Sequence, residues 1–125
     1  MERDFTYVDD LIEAIARLMP LAPAPGQADG ALDSLSPVAP HRVVNIAAGA
    51  PMGLLPFIET IEAALGRQAI RQMLPMQPGD VPRTFASADL LAALTGYRPA
   101  TTVEAGVKAF VQWYRTWKDG APAQG

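Results

Sequence analysis

Two residues near the end of the sequence have the spacing of a proton-transfer pair. Tyr114 and Lys118 are four positions apart, which places both on one face of a helix. A lysine ammonium beside a tyrosine hydroxyl can support general acid–base chemistry. The pair lies, however, in the last turns of an amphipathic helix whose apolar stripe already includes Tyr114. We therefore expect a core tyrosine beside a lysine that extends along the helix end, and no catalytic role.

A glycine-containing turn is the nearest approach to a phosphate-binding loop. Residues 47–53, Ala-Ala-Gly-Ala-Pro-Met-Gly, follow an apolar segment and precede a helix. A glycine-rich loop in that position presents backbone N–H groups to a pyrophosphate. Here the first glycine of the pattern is missing and a proline stands inside it. The sequence therefore favours an ordinary strand-to-helix turn, and we expect no cofactor-binding residue.

Arg3 and Asp80 are placed where they could hold a ligand. Arg3 precedes a β-prone segment, and its guanidinium can bind a phosphate through two parallel hydrogen bonds. Asp80 lies in the Pro-Gly-Asp-Val-Pro turn at 78–82, which is rigid enough to hold a carboxylate against a ribose diol. A surface ion pair for Arg3 and a turn-forming role for Asp80 are equally compatible with the sequence.

The composition excludes several other kinds of site. The chain has no cysteine and one histidine, His41. This excludes disulfides, thiol catalysis, Cys-based metal sites and any metal site made by two histidines of one chain. His41 lies in a loop with no nucleophile elbow nearby, and Asp9 and Asp10 are better explained as helix caps. We predict neither catalytic nor metal-binding residues.

Charge and hydropathy also limit the partners. Ten Lys+Arg against 13 Asp+Glu give a net charge of −3, whereas non-specific nucleic-acid binding needs a basic surface. No apolar run approaches the roughly 18 residues of a membrane-spanning helix, and the first residues lack the pattern of a signal peptide. We expect a cytoplasmic protein that binds neither nucleic acid nor membranes.

The elements that must position these residues form a small α/β domain over residues 1–125. Strands are predicted at 5–8, 42–47 and 70–76, the second apolar on both faces as in a parallel sheet. Four helices follow from apolar periodicity. They run from Leu11 to Met19 after caps at Asp9 or Asp10, from about Gly53 to Leu65, between Ser87 and Gly96, and from a capping box at 101–104 to Asp119-Gly120.

Residues 20–41 interrupt this pattern. They contain five prolines and only two charged residues, and they are far longer than an ordinary connection. We predict a flexible surface loop, which is either a lid or partner-binding loop or an insertion that the surface tolerates. A disordered tail is predicted at 120–125.

Five segments in order resemble the C-terminal third of a known enzyme family. They are residues 3–10 (Arg-Asp-Phe-Thr-Tyr-Val-Asp-Asp), 44–47 (Val-Asn-Ile-Ala), 74–82 (Leu-Pro-Met-Gln-Pro-Gly-Asp-Val-Pro), 96–99 (Gly-Tyr-Arg-Pro) and 110–114 (Phe-Val-Gln-Trp-Tyr). The chain is similar here to the NAD-dependent sugar-nucleotide epimerase/dehydratase family, the extended short-chain dehydrogenases, which includes isomerases. Its Met-Gln-Pro-Gly-Asp-Val segment resembles most the UDP-glucuronate 4-epimerase branch.

The resemblance implies roles for three residues. Arg3 matches an arginine that contacts the UDP diphosphate, and Asp80 matches an acid that binds the uridine ribose. Gln77 stands where some members carry a second phosphate-binding arginine, which weakens the expected diphosphate clamp. The family's NAD loop and its catalytic Ser/Thr–Tyr–Lys set belong to an N-terminal part that is not in this sequence. The resemblance therefore implies a C-terminal portion of an extended short-chain dehydrogenase fold, lacking most of the Rossmann sheet and holding no NAD by itself.

Two functions follow from this resemblance. The first is the UDP-sugar-binding portion of a nucleotide-sugar epimerase, inactive alone and of weak affinity for the UDP-sugar. The alternative is a free-standing, non-catalytic interaction module derived from the family. The apolar segment 43–47 would lack its sheet neighbours in either case. We therefore expect self-association, or pairing with an N-terminal half of the enzyme.

Overall fold

A computed structural model of the chain describes residues 1–28, 30–75 and 77–120. Within them lie four helices and one two-stranded sheet. In chain order these are β1 (Glu2–Arg3), α1 (Val8–Leu18), β2 (Met52–Gly53), α2 (Leu54–Leu65), α3 (Asp89–Thr95) and α4 (Val103–Lys118). The four predicted helices are confirmed. Five residues of the tail predicted to be disordered, 121–125, lie outside the described residues, as do Asp29 and Met76.

The helix ends mostly follow the expected signals. α1 stops before Pro20 and carries the predicted Glu13–Arg17 pair, with Nε of Arg17 2.6 Å from Oε1 of Glu13. Gly66 and Gly96 end α2 and α3 with φ of 68° and 67°, a left-handed conformation that glycine adopts without strain.

Three predicted caps are wrong in register. Tyr7 is the N-cap of α1, so Asp9 and Asp10 lie inside the first turn. Their negative charges stabilise the helix there by interacting with its dipole. The N-cap of α4 is Thr102, whose hydroxyl accepts from the Ala105 N–H at 3.2 Å. Glu104 is therefore the second helical residue, one position short of closing a capping box.

The N-cap of α3 is Ala88, one residue after the predicted cap. The Ser87 hydroxyl nevertheless accepts a hydrogen bond from the Asp89 N–H at 3.1 Å. Ser87 therefore bonds to the first helical residue from a position just before the N-cap.

All three predicted strands are also wrong. Residues 5–7 lead directly into α1, residues 42–47 form no ladder, and residues 70–75 are irregular, with Ile70 fully exposed. A strand needs the edge of another strand to pair with. In the described part of the chain no neighbouring edge is available to these segments, so their β-prone composition does not produce strands.

The sheet that does form is built around β1. It pairs antiparallel with β2, with Glu2 opposite Gly53 and Arg3 opposite Met52. On its other side, Glu2 N–H donates to the Pro82 carbonyl at 2.8 Å, and Thr84 N–H donates to the Glu2 carbonyl at 3.2 Å. The N-terminal strand thus joins two segments that are distant in sequence.

Two helix pairs enclose the buried residues. α1 packs on α3, and α2 packs on α4. The best-buried cluster lies in the first pair; its members are Ala14, Ala88 and Leu91, with Leu18, Val44, Ile46 and Tyr97 packed around them. The link from β1 to α1 contacts the second pair, because the Phe5 ring stacks on Phe57 with centroids 4.0 Å apart.

Candidate functional site

Arg3 is fixed by two backbone carbonyls. Its Nη1 donates to the carbonyl oxygen of Val81 at 2.8 Å and to that of Glu2 at 3.0 Å. Within the described residues, Nε and Nη2 make no hydrogen bond, so most of the five N–H donors of this guanidinium are available. The side chain is half-buried, which limits the directions in which those donors can point.

Gln77 and Asp80 stand at the two ends of one turn. The Asp80 N–H donates to the Gln77 carbonyl at 3.2 Å, and Gly79 between them has a φ of 93°. A tight turn is present where one was predicted at 78–82, but it spans residues 77–80. Both side chains are exposed, and both line a groove of about 1600 Å³ that runs along α2 and the end of α4.

The three residues named from the sequence are neighbours in the fold. Arg3 is held at Val81, the residue that follows Asp80. No hydrogen bond or ion pair joins the three side chains to one another within the described residues. A guanidinium thus lies beside a turn that carries an exposed amide and an exposed carboxylate, and these groups suit a ligand with both an anionic and a hydroxyl-bearing part.

Basic residues of the groove were not singled out by the sequence. Arg71 pairs with Glu62 at 2.6 Å and with Glu59 at 3.6 Å. The Arg71 hydrogen bond, followed by that from the Ala69 N–H, lowers the pKa of the Glu62 carboxyl below its usual value. Arg115 donates to the Leu65 carbonyl at 2.7 Å and so covers the end of α2. These contacts hold the wall of the groove in place. They join residues that are separated in the sequence, so the sequence alone does not indicate them.

Comparison with known proteins identifies the family. No protein-family model matches the chain. A probable UDP-glucuronate 4-epimerase of Rhizobium meliloti strain 1021 is 56% identical over 117 residues, which are 91% of this chain and 34% of that protein. UDP-glucuronate 4-epimerase 1 of Arabidopsis thaliana is 30% identical over 118 residues, which are 94% of this chain and 27% of that protein.

The chain belongs to the NAD-dependent sugar-nucleotide epimerase/dehydratase family. It corresponds to a C-terminal portion of that family's proteins, as the resemblance implied. It spans about a third of the length of the first curated relatives it matches.

Solved structures of epimerases share the fold. UDP-glucose 4-epimerase from Bifidobacterium longum, in complex with NAD⁺ and UDP, matches with a TM-score of 0.73 at 20% identity, over 96% of this chain and 31% of that one. UDP-glucuronic acid 4-epimerase from Bacillus cereus, in complex with NAD, matches with a TM-score of 0.69 at 21% identity, over 98% and 32%. The helices and small sheet of this chain are thus part of an extended short-chain dehydrogenase fold.

NAD-dependent family members bind a pyrophosphate, and the glycine-containing turn of this chain does not fit one. The Gly49 N–H donates to Oδ2 of Asp4 at 3.0 Å, and the Leu54 N–H at the start of α2 donates to the Met1 carbonyl at 3.1 Å. Two of the N–H groups that would meet a phosphate are thus already bonded, and the Asp4 carboxylate would repel it. Both observations favour a turn that leads into a helix over a phosphate-binding loop.

The Tyr114–Lys118 pair of this epimerase-family chain is not buried as expected. Tyr114 is 37% exposed, and it lies in an aromatic row along α4. The row consists of Phe110, Trp113, Tyr114 and Trp117, with neighbouring ring centroids 5.8–6.3 Å apart. Periodicity correctly placed these residues on one helix but could not show that their side chains are exposed. No hydrogen bond joins Tyr114 to Lys118 there.

Asp10 is a structural centre that sequence reasoning took for a cap. Its carboxylate accepts from the Tyr97 hydroxyl at 3.0 Å, from the Ala100 N–H at 3.1 Å and from the Thr101 N–H at 2.8 Å. Burial works to raise the pKa of Asp10, but these hydrogen bonds outweigh it and the net pKa is lowered. Asp10 thereby joins α1 to the segment that leads into α4.

Metal-binding clusters and membrane-spanning helices are both absent from the part of the chain that the structure describes. No group of three or more His, Cys, Asp or Glu side chains there could hold a metal ion. None of its helices combines the length and apolarity needed to cross a membrane.

Proposed function

We propose that the chain is the UDP-sugar-binding C-terminal portion of an NAD-dependent nucleotide-sugar epimerase of the UDP-glucuronate 4-epimerase type. The observation that carries this proposal is the bond between Arg3 and the Val81 carbonyl. It sets the guanidinium beside the turn that holds Gln77 and Asp80. The relatives' names support the substrate class, since they include UDP-glucuronate 4-epimerases.

Each of the three residues has a chemical role in this proposal. Arg3 binds the diphosphate through the donors that its carbonyl contacts leave available. Gln77 adds an uncharged donor beside it, so the diphosphate clamp carries one positive charge where some family members carry two. Asp80 accepts hydrogen bonds from the ribose hydroxyls of the uridine. The turn conformation at Gly79 fixes the distance between Gln77 and Asp80.

In this account the chain binds the nucleotide and does not catalyse alone. NAD, when bound, supplies the hydride chemistry of epimerisation. By resemblance, the residues that hold it and that move the proton lie in the N-terminal portion of the family. The chain's own contribution is to bind and orient the UDP end of the substrate, which positions the sugar for chemistry elsewhere. Epimerase activity of this chain alone would contradict the proposal.

Calorimetric titration with UDP tests it. Because only part of the family site is in this chain, we expect a dissociation constant on the order of 1 mM. Arg3→Ala should weaken binding at least about tenfold, since it removes the charged donor. Arg17→Ala is the matched control, because Arg17 is an exposed arginine of α1 whose partners in the described residues are Glu13 and the Tyr97 ring, not the 77–80 turn. No binding by the wild type, or equal loss in both variants, would contradict the proposal.

A second candidate, a non-catalytic interaction module, is favoured by the uncovered surface. The aromatic row on α4 is exposed, and Oδ1 of Asp4 is buried without a hydrogen-bond partner in the described residues. A covering protein, either an N-terminal half of an epimerase or a second copy, would complete both features. This candidate predicts protein association without UDP binding, so the same titration separates the two.

A further inference from the structure

Ser34, in the proline-rich loop, bonds to both backbone polar groups of Val43. The Val43 N–H donates to Oγ of Ser34 at 3.0 Å, and the Ser34 hydroxyl donates to the Val43 carbonyl. In an extended segment, the N–H and C=O of one residue point to the same edge. The hydroxyl therefore takes the place that the backbone of a neighbouring strand would take.

A buried ion pair holds Ser34 in that place. Oδ1 and Oδ2 of Asp33 accept from Nε and Nη2 of Arg42, both at 2.8 Å. The Asp33 side chain is 0% exposed and that of Arg42 is 9% exposed. The Leu35 N–H donates to Asp33 at 3.0 Å, and the Ser36 N–H donates to the His41 carbonyl at 2.8 Å. These bonds tie residues 33–42, which we call the clasp, into one compact unit.

The segment that follows the clasp has the properties of an unpaired strand. Residues 43–47 are Val-Val-Asn-Ile-Ala, and their exposure alternates: Val44 and Ile46 pack on the buried cluster, while Val43 is 60% exposed and Asn45 is exposed. No hydrogen bond reaches the backbone of residues 44–46 within the described residues. Apolar segments with free edges pair readily with other chains.

We propose that the clasp covers the edge of this segment at Val43 and hinders the segment from pairing, through that edge, with the same segment of a second copy of the chain. Ser34 supplies the cover at Val43, and the Asp33–Arg42 pair holds Ser34 there. Asn45 lies two residues along, so its N–H points to the same edge. The partner is a second copy because an antiparallel pair of identical segments satisfies both copies at once. The proposal is independent of nucleotide binding.

Ser34→Ala tests the clasp most gently, because it removes one hydroxyl and leaves no charge unpaired. Sedimentation equilibrium of the full chain should show self-association at least about tenfold stronger than that of the wild type. Asp33→Ala should act in the same direction. Ser36→Ala is the matched control, since within the described residues its hydroxyl accepts only from the Val38 N–H of the loop, and it should leave association unchanged. Circular dichroism checks that each variant keeps its helices.

A second substitution identifies the edge. Asn45→Pro removes the next N–H along the edge that Ser34 covers at Val43, and it keeps the extended conformation that proline allows. Combined with Ser34→Ala, it should return association to the wild-type level, whereas Asn45→Ala should not. The proposal is overturned if Ser34→Ala associates no more than the wild type. It is also overturned if the added association survives Asn45→Pro. If Asp33→Ala fails to fold, the Ser34 variants alone decide.

Discussion

Nη1 of Arg3 lies 2.8 Å from the carbonyl oxygen of Val81, a residue 78 positions further along the chain. The bond connects the N-terminal strand to the turn that holds Gln77 and Asp80. It gives the three residues a common location, although nothing in their local sequences relates them. The proposed nucleotide site depends on this relationship, and so do the first two predictions.

Replacing Arg3 by lysine should weaken UDP binding despite keeping the positive charge. A lysine ammonium cannot bond to the Val81 carbonyl and also present a planar pair of donors to a diphosphate. We expect a loss of about tenfold in affinity for UDP and no change for uridine, which lacks the phosphates. Calorimetry with both ligands measures this. Equal affinities of the wild type and Arg3→Lys for UDP would show that Arg3 is not a diphosphate ligand.

Asp80 should confer a preference for ribose hydroxyls. The wild type should bind UDP more tightly than 2′,3′-dideoxy-UDP by about 1–2 kcal/mol, because the carboxylate accepts hydrogen bonds from the diol. Asp80→Ala should bind both ligands equally. Asp119→Ala, which alters another acid of the same groove, is the control and should keep the preference. A variant at Asp80 that still distinguishes the two ligands would remove this residue from the site.

Asp10 should make the folding stability of the chain depend on pH in the acidic range. Its pKa is lowered in the folded chain because the hydrogen bonds from Thr101, Tyr97 and Ala100 outweigh the opposing effect of burial. The stability it contributes is therefore full above the unfolded pKa of about 3.9, and it is lost as the pH falls through the lower folded value.

Asp10→Asn measures this contribution. The variant should be less stable than the wild type by about 2 kcal/mol at neutral pH, since a neutral amide accepts these bonds more weakly and adds an unmatched donor. Urea unfolding at several pH values should show the difference shrinking as the solution is acidified below about pH 4. A difference that stays constant across this range would mean that the charge of Asp10 is not what stabilises the fold.

Gly106 should be required for the contact between α4 and Tyr7, the N-cap residue of α1. A Cβ at this position would lie 3.0 Å from Cδ2 of Tyr7, so Gly106→Val should destabilise the chain by about 2 kcal/mol. Helix propensity alone predicts the opposite sign, because valine is a better helix former than glycine.

The control for Gly106 is Ala109→Val, at an exposed position of the same helix. It should cost about 0.5 kcal/mol through propensity only. Thermal unfolding compares the two variants. If Gly106→Val were as stable as the wild type, the Tyr7 ring would not be packed against α4 in solution.

Local sequence signals were enough for the helices and turns. The apolar spacing predicted α1 to α4, and the glycines at 66 and 96 marked two of their ends, because these features depend on residues a few positions apart. The turn at 78–82 was predicted for the same reason. The family resemblance then selected Arg3, Gln77 and Asp80, and the fold brings them to one region, although their ligand roles remain proposals.

Long-range relationships were beyond the sequence. The segment 42–47 has a strand's composition, but a strand exists only with a paired edge, and none is available in the described residues. Tyr114 on α4 was expected to be a core residue, yet it is 37% exposed, because burial depends on what faces a side chain. Asp10 fits a helix cap by its position, whereas its partners are near residue 100. In each case the deciding partner is far away in the chain.

The central claim, that Arg3 and the 77–80 turn form one nucleotide site, is tested most directly by an NMR titration of ¹⁵N-labelled chain with UDP. The amide signals of Arg3, Gly79 and Asp80 should shift together along one saturable curve, with a dissociation constant on the order of 1 mM. Signals of the α1 outer face should stay in place. Absence of shifts at saturating UDP, or shifts confined to residues away from Arg3 and this turn, would contradict it.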